Sequence, residues 1–285
     1  MKKLIIPILA GLVFSCTKAP AQDTKFNEKI KKEFTVSPNS VLAVYNIDGF
    51  IKVEGYAGNK VLIDVDKTIS GKTNEILEEG KREFKLEFEQ KGDSVIVYIA
   101  EPWDSRPNRN RDRWNNDHRK ILYHHNLNFT IKVPNSMNLV VSTINNGDIA
   151  VSDVYGFMKA SNINGGIDIK NAQKANEIHT INGDVNINYT TLPPDNSKYY
   201  TLNGKLTAIF PNNLSADCEY KSFNGELFTD FENVEKLPSK VVKVIKENEN
   251  GTTLKLSKGS AFRIGNGGKN LKFETFNGNI YIKKS

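Results

Sequence analysis

The motif Thr-Ile-Asn-Gly at Thr180 to Gly183 constrains this chain more than any other feature, because close copies of it recur along the sequence. Aligned on the glycine, the copies are VYNIDGFIKV from Val44, VSTINNGDIAV from Val141 and ASNINGGIDI from Ala160. They continue as IHTINGDVNI from Ile178, YYTLNGKLTA from Tyr199, YKSFNGELFT from Tyr220 and FETFNGNIYI from Phe273. Each reads apolar, any, Ser/Thr/Asn, apolar, Asn/Asp, Gly, any, apolar, any, apolar, and the second carries an extra residue, Asn146. The glycines are spaced 18 from Gly147 to Gly165 and to Gly183, 21 to Gly204 and to Gly225, and 53 to Gly278. A period of about 20 residues is that of solenoids and stacked arrays.

Glycine accepts positive φ at little steric cost, and asparagine tolerates it better than most residues. The pairs Asn164-Gly165, Asn182-Gly183, Asn203-Gly204, Asn224-Gly225 and Asn277-Gly278 are therefore natural corners. Two folds use such corners. In a two-residue hairpin, Thr180 pairs with Val185 and Ile178 with Ile187, which leaves Ile181, Leu202, Phe223 and Phe276 on an exposed face. In a single-stranded β-solenoid the copies stack at strand spacing, about 4.8 Å. Ile181, Val185 and Ile187 then share the inward phase, Ile178 falls out of phase, and the asparagines line up in a column. A ladder of like on like explains why the same short motif returns in every copy. The expected fold is thus all-β, a β-helix-like solenoid of Asn-Gly-cornered repeats over residues 141–285. A more irregular β region over 34–140 is expected to run continuously into it. A β-sandwich of hairpin sheets is the alternative.

In residues 34–140, alternation predicts strands at 34–45, 51–55, 61–69, 84–89 and 95–100. A short helix is expected at 73–82, with Gly80 weakening it. Residues 230–250 read as a loop with one irregular strand.

The N-terminus reads as an export signal: Lys2 and Lys3, then an apolar run from Leu4 to Phe14 too short to span a bilayer. Ala19-Pro20-Ala21 offers an ordinary cleavage site, giving a signal peptide of residues 1–21. Val13-Phe14-Ser15-Cys16 offers a lipobox, giving a signal of residues 1–15 and a lipidated Cys16 that would tether the protein to a membrane surface. Cutting after Ala21 removes Lys2, Lys3 and Lys18 and lowers the formal charge from +6 to +3, too little to point to nucleic acid. The other cysteine, Cys218, is then without a partner and is expected to be a buried apolar residue.

The most unusual segment runs from Glu101 to His125 and holds both tryptophans. A polar insert with Trp103, Arg106, Arg109, Arg111, Arg113, Trp114 and Arg119 is the candidate interaction loop over residues 101–120. His118, His124 and His125 with Asp117 make a poor metal set, because adjacent histidines on a strand face opposite ways. Asp148 and Asp184 follow the repeat glycine, but Lys205, Glu226 and Asn279 replace them in other copies, which a calcium ladder would not allow. The GNGG at Gly265 to Gly268 lacks dinucleotide-loop spacing and reads as a turn. No catalytic constellation stands out, and neither a cofactor nor a metal is expected.

The stretches IKVPNSMNLVVSTINNGDIAV (Ile131 to Val151) and RIGNGGKNLKFETFNGNIYIKK (Arg263 to Lys284) resemble the bacterial DUF4097 family and related adhesin-like β-helix domains. The resemblance covers most of the chain from about residue 34, apart from the polar insert. It implies a β-helix-like fold, an adhesive or envelope role, and no catalytic residues. Together these readings predict a non-enzymatic, exported cell-envelope protein, an adhesin-like or scaffold module binding an envelope component, glycan or protein. The alternative is a periplasmic regulatory or envelope-stress partner of another protein.

Overall fold

The computed structural model describes residues 23–107, 120–238, 241–248, 251–258 and 260–285. Its strands form two large mixed sheets, of ten and eleven strands, whose inner faces meet in one apolar core. A separate two-stranded ribbon pairs Val241–Asn248 with Gly251–Lys258. With Val234–Leu237, it replaces the expected loop and single irregular strand.

Each repeat places one strand in each sheet. In the copy around Gly183, Lys174–Asn182 lies in the eleven-stranded sheet and Val185–Tyr189 in the ten-stranded one. Neighbouring copies pair in parallel and in register: Thr180 with Thr201, and Val185 with Ile167 and Leu206. Asn-Gly therefore passes the chain from sheet to sheet and does not close a hairpin, since each copy bonds to its neighbours. The first copy belongs to the same two sheets: Val41–Tyr45 pairs with Asn138–Ser142, and Ile51–Tyr56 with Ile149–Ser152. The last copy is out of sequence order. Lys269–Asn277 lies between Ser197–Asn203 and Ala216–Lys221, so the 53-residue gap is a detour that inserts one coil between two others.

Three contacts hold the corners. The asparagine side chains form a ladder: Asn164 Nδ2 donates to Asn145 Oδ1 at 2.8 Å, Asn182 to Asn164 at 2.8 Å and Asn203 to Asn182 at 2.8 Å. Asn277 continues it to Asn203 at 2.7 Å, and Asn224 to Asn277 at 2.8 Å. Behind the ladder, Thr143, Thr180 and Thr201 donate their buried hydroxyls to the carbonyls of Gly49, Gly165 and Gly183 in the preceding coil, at 2.8–2.9 Å. Asn162 does the same to Gly147 at 3.0 Å. After the glycine, Asp148 accepts from the Gly166 N–H at 2.7 Å, Asp184 from Lys205 at 2.7 Å and Asn279 from Glu226 at 3.0 Å.

These contacts change the reading of the glycines. A Cβ on Gly165, Gly183 or Gly204 would lie 2.0–2.3 Å from the carbonyl oxygen of the neighbouring corner glycine. The stack excludes a side chain by close backbone approach; among the corner glycines only Gly49 and Gly278 have positive φ. The inward phase is also corrected. Ile178, Thr180, Val185 and Ile187 are buried, whereas Ile181 is only half-buried and faces out. The buried threonine takes the inward position before the corner because only a donor there can satisfy the glycine carbonyl beside it.

At the opposite end of the coil cross-section the core is aromatic. Tyr189 stacks on Phe210 and Tyr199 on Phe273, with centroids 5.1 and 4.9 Å apart, and the two buried tyrosine hydroxyls meet at 2.7 Å.

The N-terminal end is closed by antiparallel strands. Thr24–Thr35 pairs with Lys60–Gly71, which pairs with His124–Pro134, and that strand joins the parallel stack at Ile51–Tyr56. The expected strand at 34–45 is two strands, broken where Asn39 has φ 62°. The helix spans Asn74–Glu83, with the Thr73 hydroxyl accepting from the Ile76 N–H. Gly80 is needed there, since a Cβ would sit 2.7 Å from Tyr123 and 2.8 Å from Ile69.

The corner geometry separates two adjacent glycine types. Gly183→Ala is expected to cost about 3 kcal/mol through the clash with Gly165. Gly166→Ala, whose nearest neighbour would be 3.2 Å away, should cost roughly 1 kcal/mol or less. Asn182→Ala removes two ladder bonds and is expected to cost about 2 kcal/mol. Urea denaturation of the three variants measures all three values.

Candidate functional site

The candidate loop divides at its described end. Arg109, Arg111, Arg113, Trp114 and Arg119 lie outside the described residues, as do Asp117, His118 and Cys16. Arg106 is held in place: its guanidinium reaches Asp104 at 2.6 Å and Glu89 at 3.8 Å, and lies 3.7 Å over the Tyr98 ring. The Asp104 carboxylate holds the Arg106 pKa above its ordinary value. Tyr98 in turn donates to Glu89, and that bond, with burial, pushes its phenol up to about 12. The Ser105 hydroxyl donates to the Tyr45 carbonyl at 2.7 Å, so the root of the loop is fixed on the eleven-stranded sheet. Arg106 is thus a clamp, and Trp103, 43% exposed, is the member of the set left facing solvent among the described residues.

The histidines part as expected for neighbours on a strand. His124 is exposed, while His125 turns inward and packs on Phe84 with centroids 4.7 Å apart. Burial, reinforced by His124 and opposed by Asp48, pulls the His125 pKa down to about 4. Among the described residues no group of three His, Cys, Asp or Glu gathers as a metal site. The Asp148 and Asp184 carboxylates accept backbone N–H bonds from the next coil. Cys218 is fully buried, which pushes its thiol up to about 12, so it is an inert core residue.

Two surfaces were not singled out in the sequence. The first is a ridge. The apolar residue before each corner asparagine faces out, so Ile144, Ile163, Ile181, Leu202, Phe276 and Phe223 follow one another in coil order. Phe223 is 73% exposed and stacks on Phe276 at 4.8 Å. The solenoid phasing puts this residue inward, and the structure turns it out.

The second is a groove of about 700 Å³ on the outer face of the ten-stranded sheet, with a neighbouring depression of about 380 Å³. Its walls are Lys52, Asp148, Ser152, Asp168, Lys170, Asp184 and Asn186, and Ala150 and Gly166 leave its floor open. In-register pairing puts Lys52, Ala150, Asp168 and Asn186 in one row across four strands. Thr207, Tyr281 and Phe228 extend that row, and the two rings stack with centroids 5.1 Å apart. The one sequence signal for the groove was the doubled glycine in Asn164-Gly165-Gly166, where other copies place a side chain after the corner glycine.

No family model matches the chain, and no curated protein matches it. Among solved structures, the chain is similar to a "putative cell adhesion protein" from Clostridium sporogenes ATCC 15579, with 12% identity and a TM-score of 0.39, covering 90% of this chain and 100% of that one. It is also similar to a "putative adhesin" from Bacteroides fragilis NCTC 9343, with 10% identity and a TM-score of 0.35, covering 90% of this chain and 97% of that one. Similarity at this level assigns no family, so the resemblance to DUF4097 rests on the motifs alone. Among the described residues no helix is long and apolar enough to cross a membrane.

His125 generates a pH prediction. Its folded pKa of about 4 lies below the ordinary 6.5, so the unfolded chain takes a proton that the folded chain refuses. Stability is unaffected above pH 6.5 and falls as the pH drops from 6.5 towards 4, by up to about 3 kcal/mol from this group. His125→Phe should flatten the melting temperature across that window relative to wild type, as read by circular dichroism.

Proposed function

We propose that the chain is a non-enzymatic, exported cell-envelope module, built as a β-solenoid of Asn-Gly-cornered coils, that binds envelope or extracellular material in the manner of an adhesin. The observation that carries this reading is the in-register stacking of like side chains, which sets long rows of surface groups at strand spacing on a rigid frame. Such rows suit an extended ligand better than a small substrate. The acids that follow the corner glycines support the non-enzymatic reading, since they are engaged as acceptors between coils. The positively charged, apolar N-terminus supports export, and Cys16 supplies a lipid tether at the membrane surface.

A second reading, a periplasmic regulatory or envelope-stress partner of another protein, is favoured by the exposed ridge that ends at Phe276 and Phe223.

Two measurements test the leading reading. In cells fed a fatty-acid probe, the wild type should be labelled and fractionate with membranes, while Cys16→Ala should lose the label. Beads carrying residues 23–285 should retain envelope material. Wild-type protein that stays in the cytosol would sink the export reading, and beads that retain nothing would sink the binding reading.

A further inference from the structure

The repeat explains every corner glycine, but it does not explain Gly166. A Cβ on Gly165, its neighbour, would lie 2.3 Å from the Gly147 carbonyl oxygen, whereas one on Gly166 would meet nothing closer than 3.2 Å. The equivalent position in the other copies carries a side chain: Phe50, Asp148, Asp184, Lys205, Glu226 or Asn279. Stacking thus crowds a side chain at Gly166 far less than at Gly165, although the Asp184 carbonyl would have to give by a few tenths of an ångström, and the missing side chain opens the middle of the outer groove. Ala150, half-exposed between Lys52 and Asp168 in the same row, deepens the same depression.

Hydrogen bonds to the next coil fix two of the groove's acids, Asp148 and Asp184. Asp148 is anchored by the Gly166 N–H at 2.7 Å, which leaves its second oxygen for a ligand at the rim. Asp168 and Asn186 occupy adjacent rungs, held in register by their strands. Lys52 and Lys170 add donors and Asp148 and Asp168 acceptors, while Asp184 is paired with Lys205 at 3.9 Å. With Lys205 counted beside Asp184, cations and carboxylates balance, so the groove has no net positive field for a polyanion and offers nothing to a lipid chain. It suits a ligand dense in neutral hydroxyls, each able to donate and accept. The rungs repeat at about 4.8 Å, close to the length of one sugar unit in an extended chain. Along the same row, past Thr207, Tyr281 and Phe228 give an apolar platform of the kind that can lie against a sugar ring.

We propose that this groove binds a neutral linear oligosaccharide, laid across the strands along the stack, with one sugar per coil. The proposal rests on reading the chain as a binding module and names the ligand class of its outer face. Calorimetry with purified residues 23–285 and short cello- and laminari-oligosaccharides tests it, with oligogalacturonate as the anionic arm. The wild type should bind at least one neutral series and not the anionic one. Ala150→Trp fills the groove from its solvent side, and Asp168→Ala removes a central acceptor. Each should weaken binding at least tenfold with an unchanged melting temperature, while Lys272→Ala on the other sheet should bind as wild type. Equal affinity in wild type and Ala150→Trp would overturn the proposal. So would envelope retention by wild type with no affinity for any neutral oligomer, a result that leaves the binding-module reading standing. Oligosaccharide binding without envelope retention would uphold the groove and overturn the envelope as the source of its ligand.

Discussion

The carbonyl oxygens of Gly49, Gly147, Gly165 and Gly183 each accept a hydrogen bond from a buried side chain of the next coil, and the two backbones meet so closely that a Cβ has no room. The rest of the architecture depends on that contact. It fixes the register of both sheets at one point per coil, and a slip of one residue would bring a side chain into the backbone of the corner beside it. It also explains the buried threonines. The carbonyl would be an unsatisfied acceptor without them, at a cost of about 1–3 kcal/mol for each coil. The asparagine ladder outside this contact adds directional bonds along the stack, and the acid or amide after the glycine takes up one more backbone N–H. The corners at Gly147 and Gly183 thus carry a donor to the coil before, an acceptor for the coil after and a glycine between them.

A parallel stack with so regular a corner could in principle add coils without end, and its ends are where association between chains would begin. The chain treats each sheet end differently. At the N-terminal end the ten-stranded sheet turns antiparallel and finishes in Thr24–Thr35, an edge strand bearing Lys25, Lys29, Lys31 and Lys32. The matching edge of the other sheet, Lys85–Lys91, is likewise studded with charge. At the far end the edge strands are short, Leu227–Thr229 and Val234–Leu237. Inserting the last copy between two earlier ones serves the same purpose. It places the C-terminal strand, Ile280–Lys284, inside the sheet and not at its edge.

The period, the corners, the asparagine column and the shared sheets of the first copy were legible in the sequence because like residues recur at fixed spacing. The inward phase was not. The solenoid phasing puts Ile181 in the core with Val185 and Ile187 and drops Ile178, whereas the structure buries Ile178 and Thr180 and turns Ile181 out. That inference ranks residues by transfer free energy, while the position beside a buried carbonyl is decided by hydrogen-bond satisfaction. The place of the last copy was also hidden, since spacing along the chain does not reveal which two coils a detour will separate. Of the candidate loop, Trp103 and Arg106 could be singled out by residue type, but only contacts distinguish a clamp on Tyr98 and Asp104 from a side chain free to recognise a partner.

The same logic separates function from repetition on the surface. In a stack of like coils, a feature present in every copy is explained by stacking, so it says little about binding. What departs from the repeat without being required by packing is more informative. Gly166 and Ala150 depart in this way, and both lie on the outer face of the ten-stranded sheet among fixed polar groups. The groove also sits in the middle of the stack, flanked by coils on both sides, where backbone hydrogen bonds in register give its walls the least freedom to move. A binding surface placed there loses little conformational entropy when a ligand arrives, which is the advantage a rigid array of rungs has over a loop.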